Sequence, residues 1–188
     1  MAYHIYTSAA WVLSQKPLRE ADREYLLLTR ELGLLRASAT GVRRSTSKLR
    51  GALEPYSIVE VSLVKGRERW RLTSASLGRS LASELDKPHL QAFARVANLL
   101  ERLIAGEEKH PAVYDIVFRA ATEALGVPDT DTELIEIYMV ALILPELGYL
   151  PKPDFAEAAV APALERVRGE KRALVSAINK GLQSSHLV

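Results

Sequence analysis

Hydrophobic and polar positions alternate along the first third of the chain and switch to three-and-four spacing beyond it. Residues 3–14 are rich in β-branched and aromatic side chains, Lys16, Pro17 and Leu18 break the run, and residues 24–30 resume it with Tyr25, Leu26, Leu27 and Leu28. This is the grammar of β-strands separated by turns. Gly33 marks a turn into a third segment, 34–42, which passes Gly41 into Arg43, Arg44, Ser45, Thr46, Ser47, Lys48, Leu49 and Arg50. That stretch is too hydrophilic for a buried strand and reads as a long loop. After Pro55, residues 56–65 place Val59, Val61 and Leu63 on one face with Glu60 and Ser62 on the other, and Gly66 turns the chain into a fifth segment, 67–75.

The second part has helical spacing. Pro88 opens a helix to about residue 105 along Leu90, Phe93, Ala94, Ala97, Leu100, Leu103 and Ile104, and Gly106 closes it. Pro111 opens another to residue 125, with Val113, Ile116, Val117, Ala120, Ala121 and Ala124 on one stripe and Gly126 as the stop. Thr130 or Thr132 is expected to cap a third helix, 133–147, which is apolar nearly all round and should form the buried centre of a bundle. Beyond Pro151 and Pro153, residues 155–168 and 170–182 read as two further helical pieces separated near Gly169.

Charge sharpens this division. Residues 1–79 carry 14 Lys/Arg against 7 Asp/Glu, and residues 80–188 carry 11 against 16, beneath a formal net charge of only +2. A basic β module joined to an acidic α module suggests that one part holds a polyanion. If residues 67–75 are a strand, Arg67, Arg69 and Arg71 share one face while Trp70 and Leu72 face the core. Same-face residues recur every 6.5–7 Å or so along a strand, comparable to phosphate spacing in an extended nucleic acid. Five short strands with a basic loop describe a small curved barrel, for which the OB-fold, a binder of oligonucleotides, is the candidate. The expected class is therefore α+β: a five-stranded OB-fold β-barrel over residues 1–79 and an all-α helical bundle of four or five helices, serving partner docking, over residues 80–188. Candidate nucleic-acid contacts are Arg36, Arg43, Arg44, Lys48, Arg50, Arg67, Arg69 and Arg71. In the acidic part, Arg95, Arg102 and Arg119 lie beside apolar stripes, an arrangement suited to an acidic, hydrophobic peptide.

Several classes of chemistry find no support. The chain has no cysteine, which excludes disulfides and thiolate metal sites, and its four histidines are scattered. No metal or other cofactor is expected. Ser45 and Lys48 match a Ser-x-x-Lys pattern, yet the partner motifs of penicillin-recognising enzymes are missing and the pattern falls in a basic loop. No Gly-Lys-Ser/Thr follows Gly33 or Gly41 at phosphate-loop spacing. Glu20 and Asp22 are expected to form salt bridges with Arg19, Arg23 or Arg44 rather than a catalytic pair, while Trp70, Tyr25 and Tyr56 read as core or rim. No stretch of about 18 uncharged apolar residues and no export signal is present, so a cytoplasmic protein with no membrane association is expected. The function is read as binding, not catalysis; an RNA-binding OB-fold of RNA metabolism or translation and a non-catalytic protein adaptor are the alternatives.

One ordered set of residues resembles a known family. Glu20, Asp22, the Leu26, Leu27 and Leu28 run, Thr29, Arg30, Glu31 and Gly33, then Gly41, Arg43, Arg44, Ser47, Lys48 and Leu49, and finally Pro55, Tyr56 and Glu60 are similar to the progression of the RecO family of bacterial recombination mediators. The His110–Pro111 helix start, the stretch from Leu144 to Pro151 with Leu147, Gly148 and Tyr149, and the tail Ser184 to Leu187 resemble its landmarks more loosely. The resemblance implies an OB-fold followed by a helical domain in a nucleoid-associated protein that binds single- and double-stranded DNA, anneals strands and assists RecA loading. It also implies partnership with RecR and with the acidic C-terminal tail of single-stranded-DNA-binding protein. Many members carry a four-cysteine zinc element after the position of Pro151, and residues 151–162 hold no cysteine, so this is a short form without it.

Overall fold

In a computed structural model of the protein, which describes residues 4–44, 47, 49–67, 69–123, 126 and 131–184, the alternating region forms five strands. Of the residues singled out above, Tyr3, Ser45, Thr46, Lys48, Ala124, Leu125, Thr130 and residues 185–187 lie outside the described ones. Strand β1 (Ile5–Pro17) is long enough to serve two neighbours. Its first part pairs with β4 (Ser57–Lys65), from Ile5↔Val64 to Trp11↔Ile58, and its second with β2 (Arg23–Thr29), from Ala10↔Thr29 to Pro17↔Arg23. A register shift between Val12 and Ser14 supplies local twist. Strand β3 (Gly33–Ala39) runs antiparallel to β2 and meets β5 (Trp70–Ser80) in a parallel pair, Ala37↔Trp70 and Ser38↔Arg71. With β5 also antiparallel to β4, the order β1-β2-β3-β5-β4 closes into a barrel, the five-stranded arrangement that the alternation predicted.

The interior follows the period of two. Ala10 and Val12, Tyr25 and Leu27, Leu35 and Ala37, Val59, Val61 and Leu63, and Trp70 and Leu72 form one buried cluster. Each large member contributes roughly 1.5–3 kcal/mol relative to leaving it in water. The opposite-face residues Trp11, Leu13, Leu26, Leu28 and Leu34 are buried as well, which is why Tyr25 to Leu28 reads as a continuous apolar run rather than an alternation. At the β2–β3 turn Gly33 adopts φ +78, and a Cβ there would stand 2.1 Å from the Glu108 carbonyl oxygen. Only glycine meets both demands.

Helices follow: α1 (Leu81–Glu84), α2 (Lys87–Leu103), α3 (Pro111–Thr122), α4 (Thr132–Glu146) and α5 (Val160–Ser184). By internal contacts the chain forms two compact units, residues 1–86 with 105–114 and residues 87–104 with 115–188. In the second unit α4 is buried on every side from Ile137 to Leu144 and packs against α2 and α5. No helix among the described residues is long and apolar enough to cross a membrane.

Four local readings are corrected. Strand β1 continues through Lys16 and Pro17, because Pro17 occupies the last pair of the ladder, where its missing N–H interrupts nothing. Strand β5 begins at Trp70, not Arg67, and runs to Ser80. The cap of α4 is Asp131, whose carboxylate accepts the Leu134 amide at 2.7 Å, rather than Thr132. Helix α5 passes Gly169 without a break. An interior glycine costs a helix about 1 kcal/mol, and here Arg168–Glu165 at 2.7 Å, Arg166–Glu170 at 3.3 Å and Lys171–Glu133 at 2.5 Å brace the turns around it.

Candidate nucleic-acid interface

The loop joining β3 to β4 is basic at its surface and apolar at its roots. Val42 and Leu53 belong to the barrel core, Leu49 packs against it, and the exposed Arg43, Arg44 and Arg50 stand between those anchors. The start of the loop is stitched to the β1–β2 turn. The Gly41 amide donates to the Asp22 carboxylate at 2.8 Å, the Arg43 amide to the Ala21 carbonyl at 3.1 Å, and an Arg43 guanidinium nitrogen to the Glu20 carbonyl at 2.9 Å. Asp22 is thus a turn-fixing residue. The salt bridges expected of Glu20 and Asp22 do not form among the described residues: one Asp22 oxygen accepts the Gly41 amide, and Arg43 donates to the Glu20 backbone carbonyl. At the far end Tyr56 holds φ +66, its amide donates to the Val12 carbonyl at 2.7 Å, and its ring lies 6.5 Å from that of Trp11. A non-glycine residue in that conformation costs of order 1–3 kcal/mol, offset here by the bond that returns the chain to the barrel.

Between the loop and the β1–β2 hairpin lies a cavity of about 380 Å³. Gln15, Arg23 and Tyr25 line it from the hairpin, and Val42, Arg43, Arg50, Leu53 and Glu54 from the loop. Arg23 donates to the Gln15 side-chain oxygen, and its buried Nε finds no acceptor among the described residues. Burial pushes the Tyr25 hydroxyl above its ordinary range, partly offset by the Arg23 charge. Gln15 is not singled out in the sequence, Arg23 only as a salt-bridge partner for Glu20 or Asp22 and Tyr25 only as core or rim, because nothing there shows that a loop twenty residues downstream folds back on the start of β2. The available signal was a cation opening a strand directly after a barrel turn.

The remaining barrel cations divide into two sets. Arg67 and Arg69 are exposed in the turn between β4 and β5, so the row Arg67, Arg69 and Arg71 on one strand face does not exist. The reason is the hairpin register. Lys65 pairs with Trp70 and the Gly66 amide donates to the Arg69 carbonyl at 3.0 Å, which leaves residues 66–69 as the turn. Arg71 alone is on the strand, exposed beside the buried Trp70 and Leu72. Arg36 is exposed on β3, 3.8 Å from the Glu24 carboxylate that also holds Lys16 at 2.7 Å. Lys65 pairs with Glu107 at 2.9 Å and lies 5.2 Å from the centre of the Trp70 ring, whose Nε1 donates to the same carboxylate at 2.8 Å. These bonds, the one from Lys65 first, hold the Glu107 carboxyl below its usual range. Trp70 is therefore a core residue with its polar edge satisfied, as read from the sequence.

In the helical unit the structure brings two of the three singled-out arginines together. Arg95 and Arg102 line a cavity of about 330 Å³ with Val96, Leu99, Val140, Ile178 and Leu182. Arg95 is fixed there by Glu136 at 2.6 Å. Arg119 does not line that cavity: it donates to the hydroxyl of the buried Tyr138 at 2.8 Å, a structural bond.

Residues 1–81 match the family model described as Recombination protein O N terminal. The matched span holds all five strands, the basic loop and the arginine-lined cavity.

Proposed function

We propose that this member of the recombination protein O family is a DNA-binding mediator of recombinational repair, holding single- and double-stranded DNA through the loops of its barrel by charge rather than by covalent chemistry. One observation carries the reading. Arg44, Arg50, Arg67 and Arg69 are exposed on barrel loops, and among the described residues none has a carboxylate within ion-pair distance. Loop cations left free by their own chain are available to phosphates, whose neutralisation releases condensed counterions and gives binding without sequence preference. Lys48 is a further candidate by sequence, and Arg36, Arg43 and Arg71, each engaged within the chain, are secondary candidates on the barrel surface.

Neutralising two strands at once lowers their mutual repulsion, which is how such a protein promotes annealing. The helical unit has the partner role. The cavity bearing Arg95 and Arg102 beside Val96, Leu99 and Ile178 suits a short acidic and apolar segment such as the tail of single-stranded-DNA-binding protein. RecR as second partner, assistance to RecA loading and a cytoplasmic, nucleoid-associated location complete the proposal.

Fluorescence anisotropy of the full chain with a single-stranded oligonucleotide at several salt concentrations tests it. Binding that falls steeply with salt, with ribose and deoxyribose strands held alike, is the expected result. Negligible binding at modest salt would leave the adaptor reading, and dependence on the 2′-hydroxyl would leave the RNA reading.

A further inference from the structure

We infer that the cavity between the β1–β2 hairpin and the β3–β4 loop is a pocket for a phosphate monoester, the phosphorylated end of a DNA strand. The inference rests on the DNA-binding reading above and adds to it which part of the strand this recess takes.

Charge is the first argument. Arg23, Arg43 and Arg50 present three guanidiniums to one recess and Glu54 a single carboxylate, a lining charge of +2. A terminal phosphate carries about −1.5 to −2 at neutral pH, whereas each phosphodiester inside a strand carries one negative charge. The recess therefore complements a strand end better than a strand interior.

The second argument is that these donors are not used up within the chain. The Arg50 amide donates to the Ser47 carbonyl at 3.4 Å, and its guanidinium has no ion-pair or hydrogen-bond partner among the described residues. Arg43 gives one nitrogen to a backbone carbonyl, that of Glu20. Arg23 gives one nitrogen to Gln15, while its Nε is buried and lacks any acceptor among the described residues. A buried donor left unmatched is uncommon in a native fold and calls for an oxygen supplied from elsewhere. Guanidinium forks match phosphate oxygens in pairs, which makes a phosphate the natural source.

Shape is the third. A volume of about 380 Å³ lies within the roughly 300–1,000 Å³ of small-ligand sites, enough for one terminal nucleotide and too little for a duplex. The buried Val42 and Leu53 close its floor, and its open rim is polar. The loop is tied to the hairpin by the Gly41–Asp22 bond at 2.8 Å and the Arg43–Ala21 bond at 3.1 Å, so a strand that enters from outside ends there rather than threading through.

The test compares single strands of about twenty nucleotides, labelled at one end and carrying either a phosphate or a hydroxyl at the other, in both polarities, against the full chain. We expect one phosphorylated end to bind about fivefold or more tightly than its hydroxyl counterpart. That gain should vanish in R50Q, which alters only an exposed loop side chain, and in R23Q. Equal affinity of phosphate and hydroxyl ends in both polarities would overturn the pocket while leaving DNA binding intact, and a gain that survives in R50Q would overturn its assignment to this recess. Adenosine monophosphate displacing the phosphorylated strand with equal affinity would overturn the strand-end assignment in favour of a free nucleotide. Failure of every oligonucleotide to bind would overturn the DNA-binding reading itself.

Discussion

Cations in the two units of this protein differ in where the unpaired ones sit: on loops of the barrel and, in the helical unit, on helices at Lys87, Arg172 and Lys180, among the described residues. In the helical unit Arg95, Lys152, Arg166, Arg168 and Lys171 each face a carboxylate of the same unit, from Glu136, Glu146, Asp154 with Glu170, Glu165 and Glu133 respectively. In the barrel Arg23 donates to Gln15 rather than to a carboxylate, but other cations on or next to strands are likewise paired: Lys16 and Arg36 with Glu24, Lys65 with Glu107, Arg79 with Glu84. The loop cations Arg44, Arg50, Arg67 and Arg69 are not, among the described residues. Total charge therefore says less than pairing does. An ion pair already formed has little field left to offer a polyanion, whereas an exposed unpaired guanidinium keeps all of it.

The largest effect should come from erasing the unpaired set. Replacing Arg44, Arg50, Arg67 and Arg69 together by Ala is expected to lower single-stranded DNA affinity at least about 100-fold at low salt, with thermal stability nearly unchanged because the side chains are exposed. An anisotropy titration reads the first quantity and thermal unfolding the second. If affinity survives, the loops are not the grip.

Next in size is a change in the frame that presents the loops. Gly33→Ala forces a side chain into φ +78 and towards the Glu108 carbonyl, and should cost at least about 1–3 kcal/mol of stability in chemical denaturation. An unaltered midpoint would show that the close approach of residues 107 and 108 does not constrain the turn.

A smaller change of opposite sign sharpens the contrast within the barrel. Glu24→Gln releases Lys16 and Arg36 from their shared carboxylate and should raise DNA affinity by about two- to fivefold in the same titration. No gain would mean that pairing is not what silences those cations. Lys65 is held in the same way by Glu107, whose folded-state pKa lies below its ordinary 4.5. A depressed carboxylate contributes stability that is fully present above the unfolded pKa and is lost as pH falls through the folded one. Glu107→Gln should therefore lower stability at pH 7 and flatten its decline below about pH 4.5, measured by denaturation across pH. The smallest effect is expected in the helical unit, where Arg95→Ala should leave DNA affinity within about twofold and cost no more than about 1 kcal/mol of stability.

Most of the fold was legible in the sequence because burial writes a period on it. Val59, Val61 and Leu63 announced β4, and the apolar run around Tyr138 announced the central helix. The failures share a cause: each depended on a partner distant in sequence. Whether Arg67 and Arg69 belong to a strand is decided by the Lys65↔Trp70 pairing, not by alternation. Continuity of α5 past Gly169 draws in part on Lys171 reaching Glu133. The candidate site shows the same limit. Arg43, Arg44 and Arg50 were visible as a basic stretch, but Arg23 joins them only because Asp22 and Ala21 tether the loop to the hairpin. Likewise Arg95, Arg102 and Arg119 looked equivalent on their helix faces, and only Tyr138 distinguishes the third.

The central claim is that unpaired loop guanidiniums neutralise phosphates, and its most direct measure is the slope of log affinity against log salt for single-stranded DNA. Against the unmodified chain, a variant carrying Arg43→Ala, Arg44→Ala and Arg50→Ala should show a slope shallower by about two units, the counterions of three phosphates at roughly 0.7 each. Parallel slopes for the two proteins would contradict the claim.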